Sequence, residues 1–152
     1  CNSAGPVLFV QTRIGLNGKP FRMLKFRTMY ADVGKYERTP LDSSDPRITR
    51  VGRWLRRTSL DELPQLLNVL RGDMSLVGPR PEMPFIVEQY NELHRERLKV
   101  KPGITGLWQL SADRRLAIHE NIDYDLYYIH EQSLLLDIVI LVQTVFLAFR
   151  GI

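Results

Sequence analysis

From Leu134 to Phe149 the chain is apolar, interrupted only by Asp137, Gln143 and Thr144. Such a run reads as one helix, and it constrains the fold more than any other segment. A membrane span needs about 20 largely uncharged residues, so the run falls short of one. Asp137 and Thr144 are seven apart and form a narrow polar stripe, leaving apolar surface around most of the circumference. A chain of 152 residues has room for one ordinary core, which cannot wrap such a helix on all sides. The helix is therefore expected to pack partly on the core and partly against a membrane surface.

The rest of the chain is mixed in pattern. Residues 6–12 (PVLFVQT) and 21–28 (FRMLKFRT) are rich in β-branched and aromatic residues and flank Asn17-Gly18, a strong turn signal. They read as a β-hairpin. Alternation puts Phe21, Met23, Lys25 and Arg27 on one face of its second strand, and Arg22, Leu24, Phe26 and Thr28 on the other. A polar loop over 30–46 ends in Asp45-Pro46, an N-cap with proline at the first helical position. The helix beyond it carries an apolar stripe (Ile48, Val51, Leu55) and a basic one (Arg47, Arg50, Arg53, Arg57). A second helix is expected over about 60–71, with Leu63, Leu66, Leu67 and Leu70 at core spacing. Residues 73–81 read as a rigid loop, 82–98 as a third helix, and 101–106 as a turn. Residues 107–115 read as an extended stretch and loop, followed by helices over 117–130 and 134–149. The sum is a single mixed α/β (α+β) domain over 1–152: a short antiparallel hairpin or sheet with about five surrounding helices.

Composition narrows the chemistry. Cys1 is the single cysteine and cannot form an internal disulfide or a thiolate zinc cluster; His94, His119 and His130 are scattered and show no metal-ligand spacing. The first residues show neither the basic n-region nor the apolar h-region by which a signal peptide would be read. The net charge of +4 conceals an asymmetry: residues 1–80 carry 14 basic and 7 acidic groups, whereas 81–152 carry 7 and 10. The first part should attract phosphates or anionic lipid. Nucleic acid is the weaker fit, because Trp54 stands alone among the arginines and nothing interleaves aromatics for base stacking.

Three motifs carry candidate chemistry. In Arg56-Arg57-Thr58-Ser59-Leu60-Asp61-Glu62-Leu63-Pro64-Gln65, Ser59-x-x-Glu62 fits a capping box, which would make Glu62 a helix-start device. Pro64 conflicts with a helix already running from Leu60. If the helix instead begins near Leu63, Asp61 and Glu62 stand at its mouth, where two adjacent carboxylates can hold a divalent metal and supply an oxygen nucleophile. Arg47, Arg50, Arg53, Arg56 and Arg57 form either a solvated or headgroup-facing surface or a phosphate site. In Gly78-Pro79-Arg80-Pro81, two prolines stiffen the backbone around Arg80, giving a structural turn or a pre-positioned phosphate clamp.

Taken together, these segments resemble the catalytic domain of the bacterial sugar transferases, the polyprenyl-phosphate hexose-1-phosphate transferases or monotopic phosphoglycosyl transferases. The resemblance rests on Gly5-Pro6-Val7-Leu8-Phe9, Gln11 through Gly15, and Lys25-Phe26-Arg27-Thr28-Met29. It continues through Thr49 to Asn68, Gly72 to Pro81 (GDMSLVGPRP), Lys101 to Gln109 (KPGITGLWQ) and Asp125-Leu126-Tyr127-Tyr128. It spans essentially the whole chain, and SLDELPQ and GDMSLVGPRP are its most specific blocks.

The resemblance implies transfer of a sugar-1-phosphate from a nucleotide-diphosphate sugar, commonly a UDP-sugar, to polyprenyl phosphate. This would occur at the cytosolic face of the bacterial inner membrane, initiating exopolysaccharide, O-antigen or other glycan assembly. The family's Asp-Glu dyad falls on Asp61 and Glu62: Asp61 as nucleophile, Glu62 as a ligand for Mg²⁺ or a manager of acceptor charge. Arg56 and Arg80 are the leading phosphate clamps, with Lys25 and Arg27 behind them. Arg114, in the stretch 107–116, is a candidate for nucleotide or sugar contacts. Family members carry a re-entrant membrane helix before the Gly-Pro-Val-Leu-Phe strand; here only Cys1–Ala4 precede Gly5, so the chain is expected to be the catalytic part without that helix. The rival expectation is a non-catalytic basic module that binds anionic lipid or nucleic acid through Arg47–Arg57. No sequence feature sets an oligomeric state.

Overall fold

The computed structural model describes residues 3–34, 40, 44–115 and 121–150, with the backbone alone at 114, 115, 149 and 150. Strands β1 (Leu8–Ile14) and β2 (Pro20–Phe26) pair antiparallel, Leu8 opposite Phe26 and Ile14 opposite Pro20. Asn17 and Gly18 turn the chain between them with positive φ (56° and 74°), the conformation an Asn-Gly pair adopts at least cost. The hairpin is therefore as expected, with each strand lying one or two residues closer to the turn. Met23 and Leu24 are both buried, so each face of β2 is covered at its middle.

Helix α1 (Arg50–Arg57) begins later than Asp45-Pro46 led us to expect. Asp45 instead closes a local turn, accepting from the Arg47 backbone N–H, and Thr49 is the true cap, its hydroxyl accepting from Gly52 N at 2.9 Å. Gly52 is what lets α1 lie against the end of β2. A Cβ there would stand 2.0 Å from the Thr28 carbonyl oxygen.

Helix α2 (Gln65–Leu70) is fastened to β2 by Asn68, which is fully buried. The Leu24 N–H donates to Asn68 Oδ1 at 3.0 Å, and Asn68 Nδ2 donates to the Arg22 carbonyl at 2.8 Å. One amide thus satisfies the donor and acceptor that β2 offers on its free edge. Leu63, Leu66, Leu67 and Leu70, expected in the core, are exposed, Leu70 at 83%. Gln65 and Asn68 face inward in their place.

A second sheet was not expected. Strands β3 (Ser75–Val77) and β4 (Gly103–Thr105) pair parallel, Ser75 with Gly103 and Val77 with Thr105, inside stretches read as loop and turn. The backbones approach closely enough that a Cβ on Gly103 would meet Gly78 N at 2.1 Å. The helix expected over 82–98 is broken into α3 (Pro84–Val87), α4 (Glu92–Arg95) and a 3-10 turn, Glu96–Lys99. Asn91 interrupts it by capping α4, accepting from His94 N at 2.8 Å. Residues 107–115 form α5 (Leu107–Leu110) and a 3-10 turn, not an extended stretch.

Helices α6 (Ile122–Glu131) and α7 (Leu134–Arg150) complete the chain; the expected start of α6 near 117 lies outside the described residues. The core gathers Val77, Tyr128 and Ile140, with Leu107, Leu110, Leu136 and Leu141 packed around them. The polar stripe of α7 points inward: Asp137 accepts from Tyr128 OH at 2.8 Å, and the Thr144 and Thr105 hydroxyls lie 2.7 Å apart. Its opposite side leaves Leu134, Leu135, Ile138, Val139, Val142, Val145 and Phe146 exposed. No helix among the described residues is long and apolar enough to cross a membrane. The architecture is mixed α/β, with seven α-helices among the described residues and two small sheets.

Candidate active site

Asp61 and Glu62 lie in a 3-10 turn, Leu60–Glu62, between α1 and α2. Two residues hold them out of a helix. Ser59 has left-handed backbone (φ 55°, ψ 14°), which breaks the line of α1. Pro64 has no N–H to give an upstream helix, so α2 starts after it. The capping-box reading of Ser59-x-x-Glu62 is corrected by the same geometry: an N-cap needs extended backbone, and the Ser59 side chain caps nothing. The alternative, a carboxylate pair at the mouth of a later helix, describes what is found.

Three cations from three elements close on this turn. Lys25 Nζ, from β2, lies 2.7 Å from Glu62 Oε1. Arg80 Nη2, from the Pro79-Arg80-Pro81 loop, donates to the same oxygen at 3.2 Å. Arg56, from α1, anchors its Nε on Thr28 Oγ1 at 2.9 Å, and its charge acts on Asp61. The Lys25 and Glu62 side chains are 15% and 19% exposed, so water screens their pairing poorly.

The two acids are shifted in opposite directions. Burial opposes ionisation of Glu62, but the Lys25 ammonium and the Arg80 guanidinium overcome it and hold the carboxyl down at about 2. Burial pushes the Asp61 carboxyl up, and Lys25 only partly offsets it. Among the described residues no hydrogen bond or ion pair holds the Asp61 carboxylate. Burial also lowers Lys25, against the pull of Glu62, while Glu62 raises Arg80. Adjacent carboxylates driven apart in this way are suited to separate tasks: one fixed as a charge, the other left with free lone pairs.

No group of three or more His, Cys, Asp or Glu side chains is placed to hold a metal ion among the described residues. The Asp61–Glu62 pair offers the type of donor that Mg²⁺ takes, commonly one or two carboxylates with substrate phosphates and water completing the shell. Arg27 is not drawn to the pair in this way; its Nε, Nη1 and Nη2 donate to the carbonyls of Pro6, Met29 and Ser3. The side chain of Arg114 lies outside the described residues.

Two groups in the site's surroundings carried no sequence signal as such. Thr28 anchors Arg56 through its hydroxyl. Arg97, read only as part of a long helix, is buried and donates to the backbone carbonyl of Arg80 at 2.9 Å.

Comparison with known proteins agrees with the resemblance seen in the motifs. The family profile described as bacterial sugar transferase matches residues 1–151. The UDP-glucose:undecaprenyl-phosphate glucose-1-phosphate transferase of Escherichia coli (strain K12) is 47% identical over 97% of this chain and 34% of its own length. The galactosyl transferase CpsE of Streptococcus agalactiae serotype III is 43% identical over 97% of this chain and 35% of its own length. The exopolysaccharide production protein ExoY of Sinorhizobium fredii is 39% identical over 95% of this chain and 70% of its own length. The chain thus spans about a third of the first two relatives and most of the third. With the motifs in order along the whole chain and the acid pair set among Lys25, Arg56 and Arg80, the chain belongs to the bacterial sugar transferase family.

Proposed function

We propose that this domain is a phosphoglycosyl transferase that moves a sugar-1-phosphate from a UDP-sugar to polyprenyl phosphate through a phosphosugar-aspartyl intermediate on Asp61. The observation that carries the reading is the division of the acid pair: Glu62 is clamped by Lys25 and Arg80, whereas the adjacent Asp61 carboxylate is unpartnered among the described residues. An Asp61 oxygen attacks the β-phosphorus of the donor. The bond from that phosphorus to the bridging oxygen breaks, and UMP leaves with the electron pair. An oxygen of polyprenyl phosphate then attacks the same phosphorus and frees the Asp61 carboxylate.

Bringing a carboxylate to a diphosphate is repulsive, and the cations answer that repulsion. Arg80 and Arg56 neutralise phosphoryl oxygens as they approach, and Lys25 keeps Glu62 ionised and in place. Mg²⁺ held by Asp61 and Glu62 would, when bound, withdraw further charge from those oxygens. In α5, the Trp108 indole N–H and both Gln109 amide atoms are buried without a hydrogen-bond partner among the described residues. Buried polar groups left unpaired gain most from a ligand, which keeps the stretch 107–116 as the candidate for nucleotide or sugar contacts.

The acceptor is a membrane lipid, so the domain should work at a membrane surface, the cytosolic face of the inner membrane. Arg50, Arg53 and Arg57 are exposed on α1 beside Trp54, which is 57% exposed, a combination suited to anionic headgroups. The same face is the one a non-catalytic basic module would use, but such a module has no need of the acid pair.

Intact-protein mass spectrometry after mixing with UDP-sugars and Mg²⁺ tests the reading. A mass increase equal to one phosphosugar, absent in Asp61→Ala and discharged by polyprenyl phosphate with UMP release matched to turnover, is expected. An adduct that persists in Asp61→Ala would remove Asp61 as nucleophile. Turnover with no adduct at any time would favour direct transfer.

A further inference from the structure

Pro79 and Pro81 have no N–H, so the loop carrying Arg80 can be held only through its carbonyls and the N–H of Arg80 itself. Each of three successive carbonyls has a donor from a different part of the chain. Gly103 N donates to Pro79 O at 2.9 Å, Arg97 Nη2 to Arg80 O at 2.9 Å, and Arg13 Nη1 to Pro81 O at 3.2 Å. Ile14 N extends the row to Glu82 O at 2.9 Å.

Arg97 differs from the other donors. Its side chain is 3% exposed, and its guanidinium is divided among three acceptors. Nε donates to Asp125 Oδ2 of α6 at 2.6 Å, Nη1 to the Tyr90 hydroxyl, and Nη2 to the Arg80 carbonyl. A planar fork fixed by two buried partners aims its third donor along one direction. The acceptor at that point is the backbone of the residue whose side chain reaches Glu62.

We propose that Arg97 is a positioning residue for phosphoryl transfer, holding the backbone of Arg80 so that the Arg80 guanidinium stays on Glu62 and the donor phosphate. The proposal rests on the reading of Arg80 as a phosphate-facing group. Arg97 touches neither acid. It acts through Arg80, with Asp125 and Tyr90 setting its direction. A small displacement of a positioned charge, of the order of 1 Å, can cost roughly a hundredfold in rate. Loss of the Arg97–Arg80 bond should therefore lower kcat more than it raises KM for the donor.

The variants Arg97→Lys, Tyr90→Phe and Asp125→Asn change this network in graded steps. Lysine can keep the charge pair with Asp125 but has no fork with which to reach Arg80 O as well. Two readouts are compared. The first is hydrogen–deuterium exchange of the peptide spanning residues 77–83, which needs no substrate. Arg97→Lys should speed exchange there while the peptides of β1, β2 and α7 stay at wild-type rates. Unchanged exchange in 77–83, or an increase spread evenly over the chain, would overturn the proposal and leave Arg97 a core ion pair.

The second readout is a double-mutant cycle on turnover with UDP-sugar and polyprenyl phosphate. If Arg97 acts through Arg80, Arg97→Lys/Arg80→Ala should be no slower than Arg80→Ala alone. Losses that multiply would overturn the proposal. A wild-type chain that binds donor but releases no UMP with any UDP-sugar would instead sink the transferase reading, and the exchange result would then decide the Arg97–Arg80 coupling by itself.

Discussion

Lys25 Nζ and Glu62 Oε1 lie 2.7 Å apart, joining the second strand of the hairpin to the turn that ends α1. Both side chains are largely shielded from water, so the contact decides the charge state of the acid and fixes the turn to the sheet. Truncating one member strands the other. Lys25→Met should cost roughly 2 kcal/mol of stability, because Glu62 keeps only the longer contact to Arg80. Lys25→Met/Glu62→Gln should recover part of that loss. Urea unfolding of the four species gives the coupling, and simple additivity would contradict the pairing.

The same contact predicts the acid response of the fold. Glu62 titrates at about 2 in the folded chain against 4.5 for the ordinary group. A depressed carboxyl contributes stability that is complete above the unfolded value and lost as pH falls through the folded one. The shift corresponds to stabilisation on the order of 3 kcal/mol. Wild-type stability should therefore fall between about pH 4.5 and 2, and Glu62→Gln should flatten that part of the curve. Guanidinium midpoints measured across this range provide the check.

Asp61 has the opposite sign. Its carboxyl is raised by burial, so its stability contribution is complete below 3.8 and is lost as pH rises through the folded value. Asp61→Asn should leave the protein at least as stable as wild type at pH 7 while lowering turnover roughly a thousandfold or more. A nucleophile must be ionised, so the acid limb of kcat/KM, which reports the free protein, should lie above 3.8. It should move higher still in Lys25→Met, because Lys25 favours the anion. A limb that moved down, or stayed fixed, would separate Lys25 from the chemistry of Asp61.

Gly52→Ala should be among the most damaging single-methyl additions. The new Cβ would fall 2.0 Å from a backbone carbonyl oxygen of Thr28, which cannot rotate away as a side chain would. Overpacking of this kind costs typically 1–3 kcal/mol, and α1 must move off the end of β2. Arg56 would then lose its hold on Thr28, so the thermal midpoint and turnover should fall together.

Membrane contact can be tested without substrate. Trp54→Ala and Arg53→Glu should each weaken sedimentation with vesicles rich in anionic lipid, and only the arginine change should alter the salt dependence. Each basic group near such a surface is worth about 1 kcal/mol. Equal binding to neutral and anionic vesicles would rule out the basic face as a contact.

Much of this arrangement could be read from sequence where the signal was local. Asn17-Gly18 announced the hairpin, and Pro64 set a later start near Leu63 against the helix expected from about residue 60, the alternative that the backbone adopts. Asp137 and Thr144 were legible as a polar stripe on α7, but that the stripe faces inward is shown only by their bonds to Tyr128 and Thr105. The parallel pair β3–β4 gave no such sign, because three-residue strands have too few alternations to register and their partners are remote. The leucines of 63–70 show a second limit: spacing reveals that a helix has an apolar face, not what lies against it. Buried Asn68 took an inward place because the open edge of β2 needed hydrogen bonds more than apolar cover. Arg97 was invisible for a related reason, since its partners Tyr90, Asp125 and Arg80 O meet only in the folded chain.

The two sheets also differ in when they can form. β1 and β2 meet across a short turn, so the hairpin that carries Lys25 closes with little loss of chain entropy. β3 finds β4 only after the chain has looped out through α3 and α4 and come back. Non-local pairing of this kind is slow to nucleate, and the Arg80 loop leaves β3 directly, with Gly103 of β4 as one of its anchors. The contacts that gather the acids are longer-range still: Lys25 and Glu62 stand 37 residues apart in sequence, and Leu24 and Asn68 44. Closing the hairpin alone therefore brings no carboxylate to the ammonium, and the acid pair and its three cations come together only through tertiary contacts.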